Sequence, residues 1–252
     1  MKTESILGYD VTADSKHDLL DEIVNSGLAG RDCTSLACFN PHSYAVARRD
    51  RSFSNALSTA TYLVPDGAGV ILASSIFGGT IRRRITGFDI FVGLHEKLNR
   101  RGGACVFFLG STEQTLEKIR VKMASDYPNI KVAGTYSPPF KVEFDESDIE
   151  EMVARVNASG ADVLWVGMTA PKQEKWTAAV CDRLNVNFVA SIGAVFDFYV
   201  GNIERSHIAF QRLGLEWLPR LLKEPRRLWR RMFISAPVFL WQVMLARLGG
   251  KS

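Results

Sequence analysis

The feature that most constrains the fold is an alternation in the apolar pattern. Short runs rich in branched and aromatic residues recur along the first 200 residues, each followed by a longer amphipathic stretch. A short apolar run suits a strand buried on both faces, and an amphipathic run suits a helix laid over a sheet, so the repeat predicts parallel strands joined by crossover helices. The expected strands are Ser35 to Phe39, Thr61 to Val64, Ala104 to Leu109, Ile130 to Gly134, Asp162 to Val166 and Asn187 to Ser191. The expected helices lie near His42 to Leu57, Gly69 to Phe77, Phe88 to Asn99, Glu113 to Asp126, Asp148 to Asn157 and Lys172 to Leu184. The stretch SPPFKVEFDESD between two of these units reads as a loop whose acidic end caps a helix. Fold class follows: an α/β, Rossmann-like, mostly parallel sheet flanked by helices.

Near residue 200 the alternation stops and only helical patterns remain. We therefore expect a catalytic core over 1–200 and a basic amphipathic helical appendage over 201–252. From Arg205 to Arg231 the chain carries Arg205, Arg212, Arg220, Lys223, Arg226, Arg227, Arg230 and Arg231 against only Glu216 and Glu224. Such a cluster attracts nucleic acid, anionic lipid or diphosphate groups, and charge alone does not choose among them. The interleaved Trp217, Trp229, Phe233, Phe239, Leu240 and Trp241 suit a helix lying in a membrane interface. The run from Met232 to Ala246 is broken by Pro237 and falls short of the roughly 20 apolar residues a span needs. A helix packed on a second copy of the chain is the other use for that apolar face.

Cysteines number four, with no CxxC pair, and there are four histidines, so neither a disulfide framework nor a structural zinc site is expected. The N-terminus MKTESILGYD carries charges where a signal peptide has its apolar segment. These points lead us to expect a cytoplasmic protein.

In an open α/β sheet, ligands bind at the carboxyl ends of the strands, where helix N-termini present free amides. Here those ends read CFNPHS, VPDGAG, FLGSTEQ, AGTYSPP, WVGMTAPKQEKW and ASIGAVFDF. Gly67-Ala68-Gly69 begins like a dinucleotide fingerprint, but Leu72 stands where the third glycine belongs, which disfavours a Rossmann-type oxidoreductase. A nucleic-acid-binding module would account for the basic helices but leave the strand-end motifs without a role. Asp66 follows Pro65 directly and reads either as a helix cap or as a proton acceptor.

Taken in order, Asn40-Pro41, PDGAG, RRRITGFD, FFLGS, WVGMTAPKQEKW, GAVFDFYVG and RLGLEWLPRLLKEPRRLWRR resemble the WecG/TagA/CpsF glycosyltransferases over nearly the whole chain. The resemblance implies an inverting, metal-independent enzyme without a cofactor. It would move a hexose or N-acetylhexosamine-type sugar (N-acetylmannosamine, its uronic acid, or glucose) from a UDP-sugar to a polyprenyl-diphosphate-linked sugar. It places the protein on the inner face of the cell membrane, in polysaccharide or wall-polymer synthesis, with no nucleic-acid partner. In keeping with metal independence, no Asp-x-Asp pair occurs in the chain. By the same match Asp66 is the base, and Asn40, Gly67, Arg84, Gly110, Gly167, Gln173, Arg220, Arg227 and Arg230 bind substrate. Glu174 reads only as a first-turn charge matching the helix dipole. The family commonly has threonine at the position of Cys38, and a thiol is a poorer sugar ligand than a hydroxyl.

Overall fold

The computed structural model describes residues 1–30, 32–203 and 229–249. Arg220 and Arg227 fall outside these residues. A hairpin opens the chain, β1 (Thr3–Ile6) with β2 (Tyr9–Thr12), followed by α1 (Lys16–Glu22). The α/β series then runs β3 (Thr34–Phe39), α2 (Pro41–Ala47), α3 (Arg51–Ser58), β4 (Tyr62–Pro65), α4 (Ala68–Phe77), α5 (Gly87–Arg101), β5 (Cys105–Gly110) and α6 (Glu113–Asp126). It continues with β6 (Lys131–Tyr136), α7 (Glu146–Ser159), β7 (Val163–Gly167), α8 (Lys172–Val180), β8 (Phe188–Ser191) and α9 (Val195–Tyr199). A π-helical turn, Arg231–Ser235, leads into α10 (Ala236–Leu248).

All six expected strands are present, and they form one parallel sheet in the order β4-β3-β8-β7-β5-β6. The two central strands β7 and β8 are buried along their full length, and so is every residue of the edge strand β4. Helices cover both faces, which leaves the strand ends as the sheet's accessible edge. On one face the core includes Phe91, Phe108, Trp165, Phe188 and Phe196; on the other, one cluster gathers around Phe39, Tyr44 and Phe53. His95 belongs to the first of these, accepting from Trp165 Nε1 at 3.1 Å, and burial lowers its pKa to about 3.

Three local features depart from the expected pattern. The single helix expected from His42 to Leu57 is two helices, because Asp50 leaves helical geometry and accepts from the Phe53 amide at 3.0 Å to cap α3. The hairpin β1-β2 was not anticipated; its two-residue turn puts Leu7 at φ 53° and Gly8 at φ 85°, the twist that favours such a turn. Glu4 of this hairpin receives hydrogen bonds from Ser74, Thr80 and Ile81, fixing it against the end of α4. Third, Cys33 and Cys181, far apart in the chain, bring their thiol sulfurs to 2.8 Å, although both are free. The loop before α7 behaves as expected, with Asp145 and Asp148 forming a capping box.

The C-terminal helix α10 lies against α2 and α4. Phe239 and Val243, one turn apart, are fully buried, and the Phe239 ring meets Tyr44 at 5.4 Å and Phe39 at 6.4 Å. Its other side shows Trp241, Met244, Leu245 and Leu248, spaced along one helical stripe, to the solvent. No described helix is long and apolar enough to cross a membrane.

Phe239→Ala should lower unfolding stability by about 3 kcal/mol, since a fully buried aromatic leaves a cavity that its neighbours fill only in part. Urea unfolding measures this, and a change within about 0.5 kcal/mol would mean that α10 does not dock in solution.

Candidate active site

Because the six strands run parallel, their carboxyl ends open on one side, and a cleft of about 650 Å³ lies there. Each strand contributes to it through the residues that follow: Asn40 after β3, Asp66 after β4, Gly110 to Thr112 after β5, Pro138 to Phe140 after β6, Gly167 to Glu174 after β7 and Ile192 to Val195 after β8. Of the residues expected to act, Asn40, Asp66, Gly110, Gly167 and Gln173 line this space together.

Asn40 and Asp66 are neighbours by register. Phe39 pairs with Pro65 across β3 and β4, and the Asp66 amide extends the ladder by donating to Phe39 O at 2.8 Å. The glycines after Asp66 serve this approach. Gly67 has φ 94°, which a side chain would oppose, and a Cβ on Gly69 would come within 2.5 Å of the Pro41 ring. Asn40 caps α2, its Oδ1 accepting from the His42 and Ser43 amides at 3.0 and 2.9 Å, so its Nδ2 is the group left for a ligand. The N-cap position of α4 is taken by Gly67, which has no side chain to bond the first-turn amides. Asp66 is half-buried.

Gly110 and Gly167 end adjacent strands as a register pair. Their lack of a side chain answers to packing: a Cβ on Gly167 would enter the Phe196 ring at 2.3 Å, and one on Gly110 would meet Gly167 O at 2.6 Å. Gln173 lies on the buried face of α8 with Trp176, Thr177 and Val180. Both ends of its amide are engaged, Nε2 donating to Glu174 Oε1 at 2.8 Å and Oε1 accepting from the Gly193 amide at 3.0 Å. Lys172 turns aside, donating to Lys141 O and resting over the Phe144 ring.

Gly67, Arg84 and Arg230 do not line the cleft. Gly67 sits behind Asp66 as the helix cap. Arg84 is half-buried beside the β4 end, where the next residue, Ile85, donates its amide to Pro65 O. Arg230 is exposed, and its neighbour Arg231 reaches the cleft in its place, since successive helical residues point about 100° apart.

Two cleft residues had weak sequence signals. His42 bonds through Nδ1 to Ser235 Oγ at 2.9 Å, tying α2 to the C-terminal segment; burial, then Arg231 and Arg230, lower its pKa to about 4. Glu174, read from sequence only as a first-turn charge matching the helix dipole, is 6% exposed, and burial raises its carboxyl to about 7. The signal for it was its place beside Gln173 in the first turn of a helix leaving a buried strand. Cys38 lies among carboxyls; burial raises its thiol well above the usual range, with Asp66, Glu174 and Asp89 adding to the effect.

The chain matches the glycosyl transferase WecG/TagA/CpsF family over residues 4–252. It belongs to this family. As a family member it is a glycosyltransferase, a finding that sets aside the oxidoreductase and nucleic-acid-module alternatives. Among its relatives is the N-acetylglucosaminyldiphosphoundecaprenol N-acetyl-beta-D-mannosaminyltransferase of Bacillus subtilis (strain 168), 28% identical over 97% of this chain and 92% of the relative. The protein of the same name from Bacillus spizizenii is 31% identical over 81% of this chain and 76% of its own. That of Staphylococcus aureus (strain MW2) is 26% identical over 82% and 78%.

A histidine whose folded pKa is depressed stabilises the fold above its unfolded value and loses that contribution as pH falls through the folded value. For His42 the window is from the usual 6.5 down to about 4. His95 acts in the same direction, so the test is a difference. His42→Gln should flatten part of the fall in urea stability across this window, whereas equal slopes in variant and wild type would show that the His42–Ser235 contact does not hold the proton off.

Proposed function

We propose that the protein transfers an N-acetylmannosamine-type sugar from its UDP derivative to a polyprenyl-diphosphate-linked sugar, with inversion, and that Asp66 is the base. The observation that carries this reading is the pairing of Asn40 and Asp66 on adjacent strand ends at the cleft. The acceptor hydroxyl oxygen bonds to the anomeric carbon as the bond from that carbon to the diphosphate breaks. Asp66 takes the hydroxyl proton, and UDP departs with the electron pair. The Asn40 Nδ2 donor, beside Asp66, suits a sugar oxygen. In this reading the donor binds at the β7 and β8 ends, where the Gly193 amide donates to Gln173 Oε1.

Charge on the leaving diphosphate calls for cations, which arginine forks meet with paired hydrogen bonds. Arg84 and Arg231 are the described candidates near the cleft, and Arg220, Arg227 and Arg230 come from the C-terminal segment. That segment, residues 201–252, is proposed as the appendage that meets the lipid-linked acceptor. The exposed Trp229, Phe233, Ile234, Trp241, Met244, Leu245 and Leu248 next to Arg230, Arg231 and Arg247 suit a peripheral site on the cytoplasmic membrane face, where apolar side chains enter the interface and arginines meet anionic headgroups. The reading uses no metal ion, and among the described residues no group of three or more His, Cys, Asp and Glu is placed to hold one.

Asp66→Asn should reduce transfer at least about 100-fold while UDP-sugar still binds. Radiolabelled transfer to a polyprenyl-diphosphate-N-acetylglucosamine acceptor, with EDTA present, measures it; full turnover in the variant would remove Asp66 from the chemistry, and loss of wild-type activity in EDTA would overturn metal independence. For the membrane, Trp241→Glu with Leu248→Glu should release the protein from anionic vesicles in co-sedimentation, and unchanged binding would place the contact elsewhere.

A further inference from the structure

The side chain of Glu174 has an unusual setting. One carboxyl oxygen accepts from Gln173 Nε2 at 2.8 Å, and the other, Oε2, is buried with no hydrogen-bond partner among the described residues. No cation among the described residues pairs with it. Lys175, next on α8, is engaged with Asp50 of α3 at 3.1 Å, and Lys172 donates to Lys141 O. From β3 the facing group is the Cys38 thiol; beyond it stand Asp66 at the β4 end and Asp89 on α5, the latter held in a capping box with Thr86. From β8 the neighbouring polar group is Ser191, whose hydroxyl pairs with Thr177 at 3.1 Å. A carboxylate so placed, with one oxygen unserved and only acids or neutral groups facing it among the described residues, is strongly disfavoured relative to the neutral acid.

Gln173 depends on this residue. Its amide is gripped at one end by Glu174 and at the other by the Gly193 backbone, so a single chain of bonds runs from the start of α8 to the turn after β8. Both ends of that chain line the cleft.

We propose that Glu174 is a positioning residue for donor binding: as an un-ionised acid it fixes the Gln173 amide and the Gly193 turn, and its ionisation weakens the hold on the UDP-sugar. The inference rests on the reading of this end of the cleft as a UDP-sugar site. Loss of the proton acts in two ways. It places a negative charge beside an anionic diphosphate, and it leaves a buried carboxylate that draws Gln173 away from the turn. The ionisation lies near pH 7, the value to which burial raises the carboxyl, so the effect falls within the ordinary range of bacterial cell pH.

The test is calorimetric binding of UDP-N-acetylmannosamine to the full-length protein at about pH 6 and about pH 8, with Glu174→Gln and Glu174→Ala alongside. If only the protonated form binds well, wild-type affinity falls about tenfold across that interval. Glu174→Gln is neutral at both pH values and can still accept from Gln173, so it should bind equally at both and more tightly than wild type at the higher one. Glu174→Ala, lacking the anchor, should bind weakly at both. Urea unfolding provides a reading without any ligand. A carboxyl raised in the fold from 4.5 to about 7 gives stability that is complete below 4.5 and lost as pH rises through 7. That loss should be present in wild type and absent in Glu174→Gln.

Equal pH dependence of binding in wild type and Glu174→Gln overturns the positioning role and leaves the UDP-sugar reading standing. So does a folded Glu174→Gln that fails to bind at either pH. No binding by wild type at any pH overturns the UDP-sugar reading itself, and the donor role of Glu174 with it.

Discussion

The parallel hydrogen-bond ladder is the constraint on which the site depends. Strands that run the same way in register end together, and a sheet buried on both faces has no other place for polar side chains to gather. Phe39 beside Pro65, and Gly110 beside Gly167, are ladder partners. The residues that follow them, Asn40 with Asp66 and Ser111 with Met168, are therefore neighbours in the cleft. No side chain had to search for its partner. A one-residue slip in β4 would turn every residue of that strand to the opposite face and carry Asp66 away from Asn40.

Close packing at the strand ends then decides which residues can stand there. Phe196 occupies the space a side chain on Gly167 would need, and Pro41 that of Gly69. These glycines, which look from sequence like places for a ligand to approach, are first places where the protein approaches itself. The same compactness accounts for Gln173 and Glu174. A helix that starts directly under the sheet edge puts its first polar residues into the interior, where they bond to each other and to the next turn. What remains accessible at the cleft is the exposed part of a network whose other bonds are structural.

The C-terminal helix shows a different use of apolar surface. One side of α10 completes the core through Phe239 and Val243, and the other leaves an apolar stripe uncovered beside arginines. Burial of the first side fixes the orientation of the second. The His42–Ser235 bond and the approach of Arg231 to the cleft bring this segment to the rim of the site, so the surface offered outward and the cleft within are parts of one arrangement.

The sequence by itself determined the sheet. Six apolar runs of strand length, each followed by an amphipathic stretch, admit few arrangements, and all six strands formed. It also marked Asn40, Asp66 and Gln173 as strand-end residues, because polar groups directly after buried strands have nowhere else to point. What it did not carry was the partner of each group. The hairpin at Leu7-Gly8 was missed although its turn was written in two residues, since its strands are short and half exposed. The break at Asp50 was hidden because a cap and a helical surface carboxylate look alike in one dimension. Glu174 reads in one dimension only as a first-turn charge matching the helix dipole, and the packing of α8 against β3 and β8 turns it inward. Periodicity reports which face of an element is apolar; it does not report how deep that face lies or what stands opposite. Depth and opposition decide whether a carboxyl is ionised, whether an amide is free and whether a glycine is needed, and these are properties of the tertiary structure alone.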